Sequence, residues 1–576
     1  MKADEVLFGG TFLTLEGGER GDSGDGEMGR RTGPIGAALS KTGGAGEKKV
    51  GSSSSERQRL SPSPPLPSAL AIKEGRILAL GDWDDVKPFI GSNTETHNLE
   101  GKTVVPGFND AHIHVWKVGQ LRTNVLDLRG VDSLERVYQL VQERAEALEP
   151  GQWLLGRGWN EAVLKEGTTP TKAGLDAAAP QNPTLLTRTC AHIHAVNSSA
   201  LQSAGVTSSE QAPAGGEIDL ERGLIFETAY GLIFRAIPAF TQADYEKWIL
   251  AGTHYLRSLG ITSATDPAVD PPLYAAYRAL EARGLLPIRM NLLYIRRPDG
   301  GDTTYPLPEK CSSAFLRCDS VKFFADGGLS GATAAVSQPY RNTEFASKGV
   351  LRFDTEELHK LMLEAHTAGF RIGTHAIGDV ALEQVIGVYE RLYREHPSSN
   401  GPNGTPRSVK HRLEHFGLPS EDHLERVAKL CLFAVPQPIF WQELGDNFRR
   451  YLPDEFLERC YNLRAMLEHG ISVAFSSDGP VVKEVSPLAG IQAACTVGPG
   501  PVSVMDALEA YTLGGARAQG DEGNRGTLTV GKWADLTVLD RNPLEVPLEE
   551  LSSLRVLQTF VGGRVSVGEN PALEVR

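Results

Sequence analysis

Between residues 106 and 525, short β-rich apolar runs alternate with helical stretches, and run after run ends on a His, Lys or Asp. This alternation predicts an α/β domain, because a parallel strand needs a crossover, most often a helix, to bring the chain back to the same edge. The PGF run, GITSATD, IRMNLLY, SVKFFADG, RIGTHAIGD, HRLEHFGL, CLFAVPQP and ISVAFSSDGP give eight strands in order. Eight is the number that closes a (β/α)8 TIM barrel, whose C-terminal strand ends form the active face. Asp266, Lys322, Asp326, His375, His415 and Asp478 would meet there although far apart in sequence. IRMNLLY and CLFAVPQP supply strands without an obvious ligand.

The first run leads into PGFNDAHIHV, with His112 and His114 one residue apart. On a strand, side chains at i and i+2 point the same way, so two imidazoles would converge just past its end. Neutral imidazole is the commonest protein ligand for zinc and similar metals. The plain alternative is a pair of surface histidines in a loop.

Two helices are legible. In DTEELHKLMLEAHTAG, Asp354 can cap the first turn, Leu358, Leu361, Met362 and Ala365 form the apolar stripe, and Gly369 can end the helix. SVMDALEAYTLGGARAQG (503–520) predicts a second helix with Ser503 as cap. His359 and His366 read as ordinary helix residues.

The remainder predicts a second, smaller unit. Residues 17–68 are Gly-, Ser- and Pro-rich with few large apolar side chains, so they cannot offset their ordering entropy and are expected to be disordered or a loose loop. SALAIKEGRILALGD reads as two strands around Glu74-Gly75, a hairpin signal, and the N-terminal strand is expected to pair there. GTLTVGKWADLTVLD and LRVLQTFVGGRVSV repeat the pattern at the C-terminus. The expected arrangement is a small β-sandwich built from both termini (1–105, with 17–68 as an insertion, and 526–576) around a barrel over 106–525. Residues 119–255, between the first two barrel strands, are far longer than a connection of ~2–6 residues and are expected to roof the site.

The net charge of −14, with no long basic run, argues against a nucleic-acid partner. Six cysteines without CxxC spacing suit reduced thiols in a cytosolic protein. The N-terminus lacks the apolar core of a signal peptide, and no stretch approaches the ~20 apolar residues of a membrane helix. The expectation is a cytoplasmic protein, with no membrane partner and homo-oligomerisation left open.

PGFNDAHIH, GITSATD, VKFFADG, THAIGD, RLEHFG and SSDGP, with the tail GTLTVGKWADLTVLDRNPL, resemble in order the motifs of the amidohydrolase superfamily, in its branch of YtcJ-like metal-dependent hydrolases (the amidohydrolase-3 type). The resemblance covers nearly the whole chain except 17–68. It implies a divalent-metal centre, zinc foremost, of one or two ions. His112 and His114, Lys322, His375, His415 and Asp478 match the family's ligand positions. For Lys322 it implies a carbamate made from carbon dioxide; otherwise this residue is a surface lysine or a partner of Asp326. For Asp478 it implies metal binding and proton transfer during attack of a metal-bound hydroxide; alone, Asp before Gly reads as a turn residue. Asp326 shares the strand face of Lys322 and is expected to point into the same pocket.

The resemblance extends to CAHIHAVNSSAL, where His192 matches a histidine expected to contact substrate or transition state, although Cys190-Ala191 replaces the family's usual Asp-Gly. His194 reads as structural. Trp159 and Asn160 match a segment that approaches the pocket, against the commoner explanation of a core Trp. His411-Arg-Leu-Glu-His415 also fits the H-x-x-E-H peptidase signature, but that needs a helix and the flanking residues favour a strand. The implied activity is hydrolysis of a C–N bond in a small amide, formamide or cyclic amide. The alternatives are an esterase or lactonase with the same site, or a catalytically idle barrel that binds a ligand.

Overall fold

In a computed structural model, which describes residues 1–16, 66–161, 163–188, 193–213, 216–227, 229–298, 303–342, 347–396 and 410–567, all eight runs contribute strands. They are β1 (Phe108–Asp110), β2 (Ile261–Val269), β3 (Arg289–Ile295), β4 (Leu316–Phe324), β5 (Arg371–Ala376), β6 (Arg412–His415), β7 (Phe433–Val435) and β8 (Ser472–Val473). Neighbours pair in parallel and in chain order. The sheet curls until its ends meet: the Ala111 amide donates to the Phe475 carbonyl (3.2 Å) and the Asp478 amide to that of His112 (2.8 Å). This α/β architecture fits a TIM-like barrel. All seven residues of β3 are buried, as expected for a parallel strand covered on both faces.

Helix α1 (Val115–Thr123) follows β1 and lies against α2 (Gln242–Ser258) with the two backbones in contact. A Cβ on Gly119 would fall 1.8 Å from the Trp248 carbonyl oxygen, and one on Gly252 would fall 2.3 Å from that of Val115. Only glycine permits this approach. Helix α3 (Thr355–Thr367) has the expected cap, with Asp354 accepting from the amides of Glu356 and Glu357, and it buries Leu358, Met362 and Ala365. The second expected helix is divided into Val504–Glu509, a wide π turn over Ala510–Gly514, and Gly515–Gln519. A Cβ on Gly514 would lie 2.4 Å from the Val473 carbonyl oxygen. The segment is thus pressed onto the backbone of β8, and the extra residue per turn accommodates the contact.

Strands from both termini share a sheet. Thr103–Pro106 pairs with Thr11–Phe12 on one side and Leu536–Leu539 on the other, and Val556–Val561 and Arg564–Val567 continue it. A second sheet holds Glu5–Phe8, Ala69–Lys73, Arg76–Gly81 and Glu95–Asn98. Its hairpin turns at Glu74 and Gly75, both at positive φ (51° and 74°). Leu7, Leu70, Ile72, Phe12, Leu536 and Phe560 join one hydrophobic cluster across the two sheets. The 17–68 segment lies outside the described residues except for its last three.

The long stretch after α1 builds a six-stranded sheet of its own from Val125 to Glu227, with two separate hydrophobic clusters. The sequence predicts an insertion over 119–255 that roofs the site, and its pattern does not reveal this sheet. Among the described residues no helix is long and apolar enough to cross a membrane.

Candidate metal centre

β1 ends at Asp110, so a loop rather than strand alternation holds the first histidine pair. The His112 amide donates to Asp110 Oδ1 (3.1 Å). The amides of Ile113 and His114 donate to the carbonyls of Thr265 and Gly479, each at 2.9 Å. The Ser477 hydroxyl donates to Asp110 Oδ2 (2.6 Å), lacing the end of β1 to the segment after β8. There Asp478, at φ 60°, turns its carboxylate inward. Its Oδ1 lies 3.4 Å from His112 Nε2 and 3.5 Å from His114 Nε2.

The His415 ring is 4.7 Å from that of His112 and 4.4 Å from that of His375, centroid to centroid. His112, His415 and Asp478 each offer a ligand atom within 4.8 Å of the other two. Lys322 is fully buried on β4. Its Nζ sits 4.7 Å from the Phe324 ring centroid, and that ring is 5.2 Å from His375.

Hydrogen bonds orient three of the rings. His112 Nδ1 donates to Glu414 Oε2 (2.6 Å), since an ionised carboxylate only accepts. Gln437 Nε2 donates to Val435 and Ser476, leaving Oε1 to accept from His415 Nδ1 (2.9 Å). His375 Nε2 donates to the Gly327 carbonyl (3.0 Å). His112 and His415 therefore keep the Nε2 lone pair free and His375 keeps that of Nδ1, the pattern by which outer partners orient metal-binding imidazoles.

Glu414 is itself gripped by Arg412 through Nε (2.7 Å) and Nη2 (2.9 Å). Simple alternation would turn His415 away from the side on which Glu414 meets His112. His415 adopts φ 72°, and this left-handed backbone breaks the alternation so that both side chains address the centre.

Burial, the largest cause, holds His112, His114 and His415 well below the usual imidazole range and His375 down to about 3, and the Lys322 charge acts in the same direction. These imidazoles are neutral at pH 7, the form that ligates metals. Burial pushes the Asp478 carboxyl up while Lys322 opposes it. Among the described residues, Asp478 Oδ1 accepts no hydrogen bond. A buried acceptor facing imidazole lone pairs is costly unless a cation lies among them. The donor set fits a divalent metal.

Asp326 is buried against the centre, its Oδ1 3.5 Å from His375 Nε2, and its oxygens accept from the amides of Ile377, Gly378 and Ala335, so it also pins the loops after β4 and β5. The remaining expected site residues fall elsewhere. Trp159 is buried in a cluster of the six-stranded sheet and donates Nε1 to the Leu186 carbonyl (2.9 Å), which is the core-Trp alternative. Asn160 accepts from Arg188 (3.3 Å). His192 lies outside the described residues. His411-Arg-Leu-Glu-His415 is largely a strand, and His411 Nε2 meets His366 Nδ1 at 2.9 Å, so the peptidase reading fails and His366 is more than an ordinary helix residue. Sequence reading missed Asp110, Glu414 and Gln437. The only local signal was an acidic residue beside a metal-ligand motif in NDAHIH and RLEH.

The chain matches the family model described as "Amidohydrolase family" over residues 95–567. It is 31% identical over 521 residues to YtcJ of Bacillus subtilis (strain 168), an amidohydrolase by name, covering 86% of this chain and 95% of the relative. It is 27% identical to the N-substituted formamide deformylase of Arthrobacter pascens, covering 86% and 94%. An uncharacterized metal-dependent hydrolase of Pyrococcus horikoshii OT3 has a similar structure, with a TM-score of 0.71 and 25% identity over 95% of this chain and 99% of that one.

Proposed function

Because this chain belongs to the amidohydrolase family, we propose that it hydrolyses a C–N bond in a small amide, formamide or cyclic amide. The observation that carries the reading is the buried meeting of His112, His114, His375, His415 and Asp478 beside Lys322. The formamide substrate named for the Arthrobacter pascens relative supports the bond type.

In this reading those side chains hold one or two divalent ions, zinc foremost, and Lys322 serves as its carbamate. Carbamate formation joins the neutral amine to carbon dioxide with loss of one proton, replacing a cation that would repel the metals by an anion with two oxygen donors. A bound ion supplies a polarised carbonyl and a water acidic enough to ionise near neutral pH. Asp478 takes a proton during attack on the carbonyl carbon and delivers it to the leaving nitrogen. The delivery matters more for an amide than an ester, because without it the nitrogen would have to leave as an amide anion, a far poorer leaving group than an alkoxide. Glu414 and Gln437 keep the rings aimed throughout.

The six-stranded sheet roofs the site in this proposal, and the terminal sheets form a β-sandwich domain with boundaries at 105 and 526. The test is a panel of matched amides, formamides and esters given to purified protein before and after chelation, with metal analysis. Chelation is expected to abolish turnover. Asp478→Asn is expected to stay folded and lose at least ~10²-fold in kcat, as for other general acid–base groups. Chelator-resistant turnover or a fully active variant would refute the assignment; faster cleavage of esters than amides would replace the bond type.

A further inference from the structure

None of the side chains of the proposed centre lines the cavity of about 370 Å3 between α1, the edge strand Val125–Asp127, Tyr255 of α2 and the loop after Asp478. Its wall carries Arg122, Arg129, Arg144 and Lys483 against one carboxylate, Asp127. In a chain of net charge −14 this is a local reversal of sign. Asp127 is already engaged, accepting from Arg129 Nε (2.9 Å) and Nη2 (2.7 Å). The remaining end of that guanidinium, Nη1, donates to the Val482 carbonyl (3.3 Å), bridging the six-stranded sheet to the loop after β8.

The other cations are positioned as well. Arg122 stacks on Tyr255, its guanidinium carbon 3.7 Å from the ring centroid. Arg144 Nη2 donates to the Thr123 carbonyl (2.8 Å), and among the described residues its other N–H groups form no hydrogen bond. Lys483 lines the same cavity as Arg129, and a Cβ on Gly130, the residue after Arg129, would lie 3.9 Å from its Nζ. Among the described residues neither Arg122 nor Lys483 forms an ion pair. Like charges gathered around one hollow repel unless an anion lies among them, and oriented guanidinium groups match the paired oxygens of phosphate and carboxylate.

We infer that this cavity binds a small multivalent oxyanion, a phosphate ester or a polycarboxylate, through Arg122, Arg144 and Lys483. Its contacts would join the six-stranded sheet, α1 and the loop that begins at Asp478, tying the insertion to the barrel. The metal-loaded full-length protein is titrated calorimetrically with inorganic phosphate and, separately, with tricarballylate. At least one should bind saturably at one equivalent and weaken with added sodium chloride. The arm that binds distinguishes phosphate from carboxylate chemistry. Lys483→Met and Arg122→Met should each weaken binding at least about tenfold, the loss of one charge-assisted hydrogen bond, while turnover persists. Lys483 is exposed, so its variant remains informative even if Arg122→Met folds poorly. Absence of saturable binding by both anions up to about 10 mM, weaker than any typical metabolite site, would overturn the inference. So would unchanged affinity in both variants, which would place the anion at the metal centre instead.

Discussion

At the scale of single residues, the His112 Nδ1–H donates to Glu414 Oε2, and Arg412 holds both oxygens of that carboxylate. Glu414→Gln keeps an acceptor but loses the charge that favours proton donation by the ring. Divalent-metal affinity should fall roughly 10–100-fold, as for other outer partners of ligating histidines, measured by competition with a chromophoric chelator. Unaltered affinity would mean that packing alone orients His112. Asp266 tests a different property. It is fully buried, accepts from the Tyr277 hydroxyl (2.7 Å), and burial raises its carboxyl from 3.8 to about 7. Between these values the folded state keeps a proton that the unfolded chain has released. This contribution is full below the unfolded value and is lost as pH rises to about 7, with a slope near 1.4 kcal/mol per pH unit. Asp266→Asn should remove that slope from urea stability curves between pH 4.5 and 6.5, a window inside the two values. Parallel curves for the two proteins would show that the carboxyl is ionised throughout.

At the scale of elements, α1 begins immediately after His114, and its contact with α2 depends on Gly119 and Gly252. Gly119→Ala should cost about 1–3 kcal/mol, the usual range for an overpacked contact, because the opposing atom is a backbone carbonyl that cannot swing away. The same change at Gly387, inside the helix Asp379–Glu395 with no heavy atom within 4 Å of its added Cβ, should gain roughly 0.5–1 kcal/mol. Denaturant midpoints of the pair check both signs, and a neutral Gly119→Ala would show that the helices part easily. Elements also separate legible from hidden structure. The α3 stripe and its Asp354 cap depend on neighbours within one or two turns, so periodicity reveals them. The π turn at 510–514 depends on pressure from β8 and leaves no mark in its own helical pattern.

At the scale of the whole molecule, the barrel and the terminal strands are joined by a buried pair. Arg289 of β3 meets Asp535 through Nε (2.6 Å) and Nη2 (2.9 Å), and the Gly562 amide donates to the same carboxylate (2.7 Å). Asp535→Ala strands a buried guanidinium and should destabilise the protein by roughly 3–5 kcal/mol, read from urea unfolding. A change below the error of that measurement would mean that the junction hydrates freely. Taken alone, the sequence determined which segments become barrel strands and which side chains carry donor chemistry, because strand period and residue type are local properties. Only tertiary structure decided how those donors are aimed. His112 and Glu414 stand 302 positions apart, the left-handed turns at His415 and Asp478 suit the packed strand ends, and the six-stranded sheet pairs strands across a long insertion. Contacts at such separations impose no period on the chain, so their selection awaits the closing of the sheet.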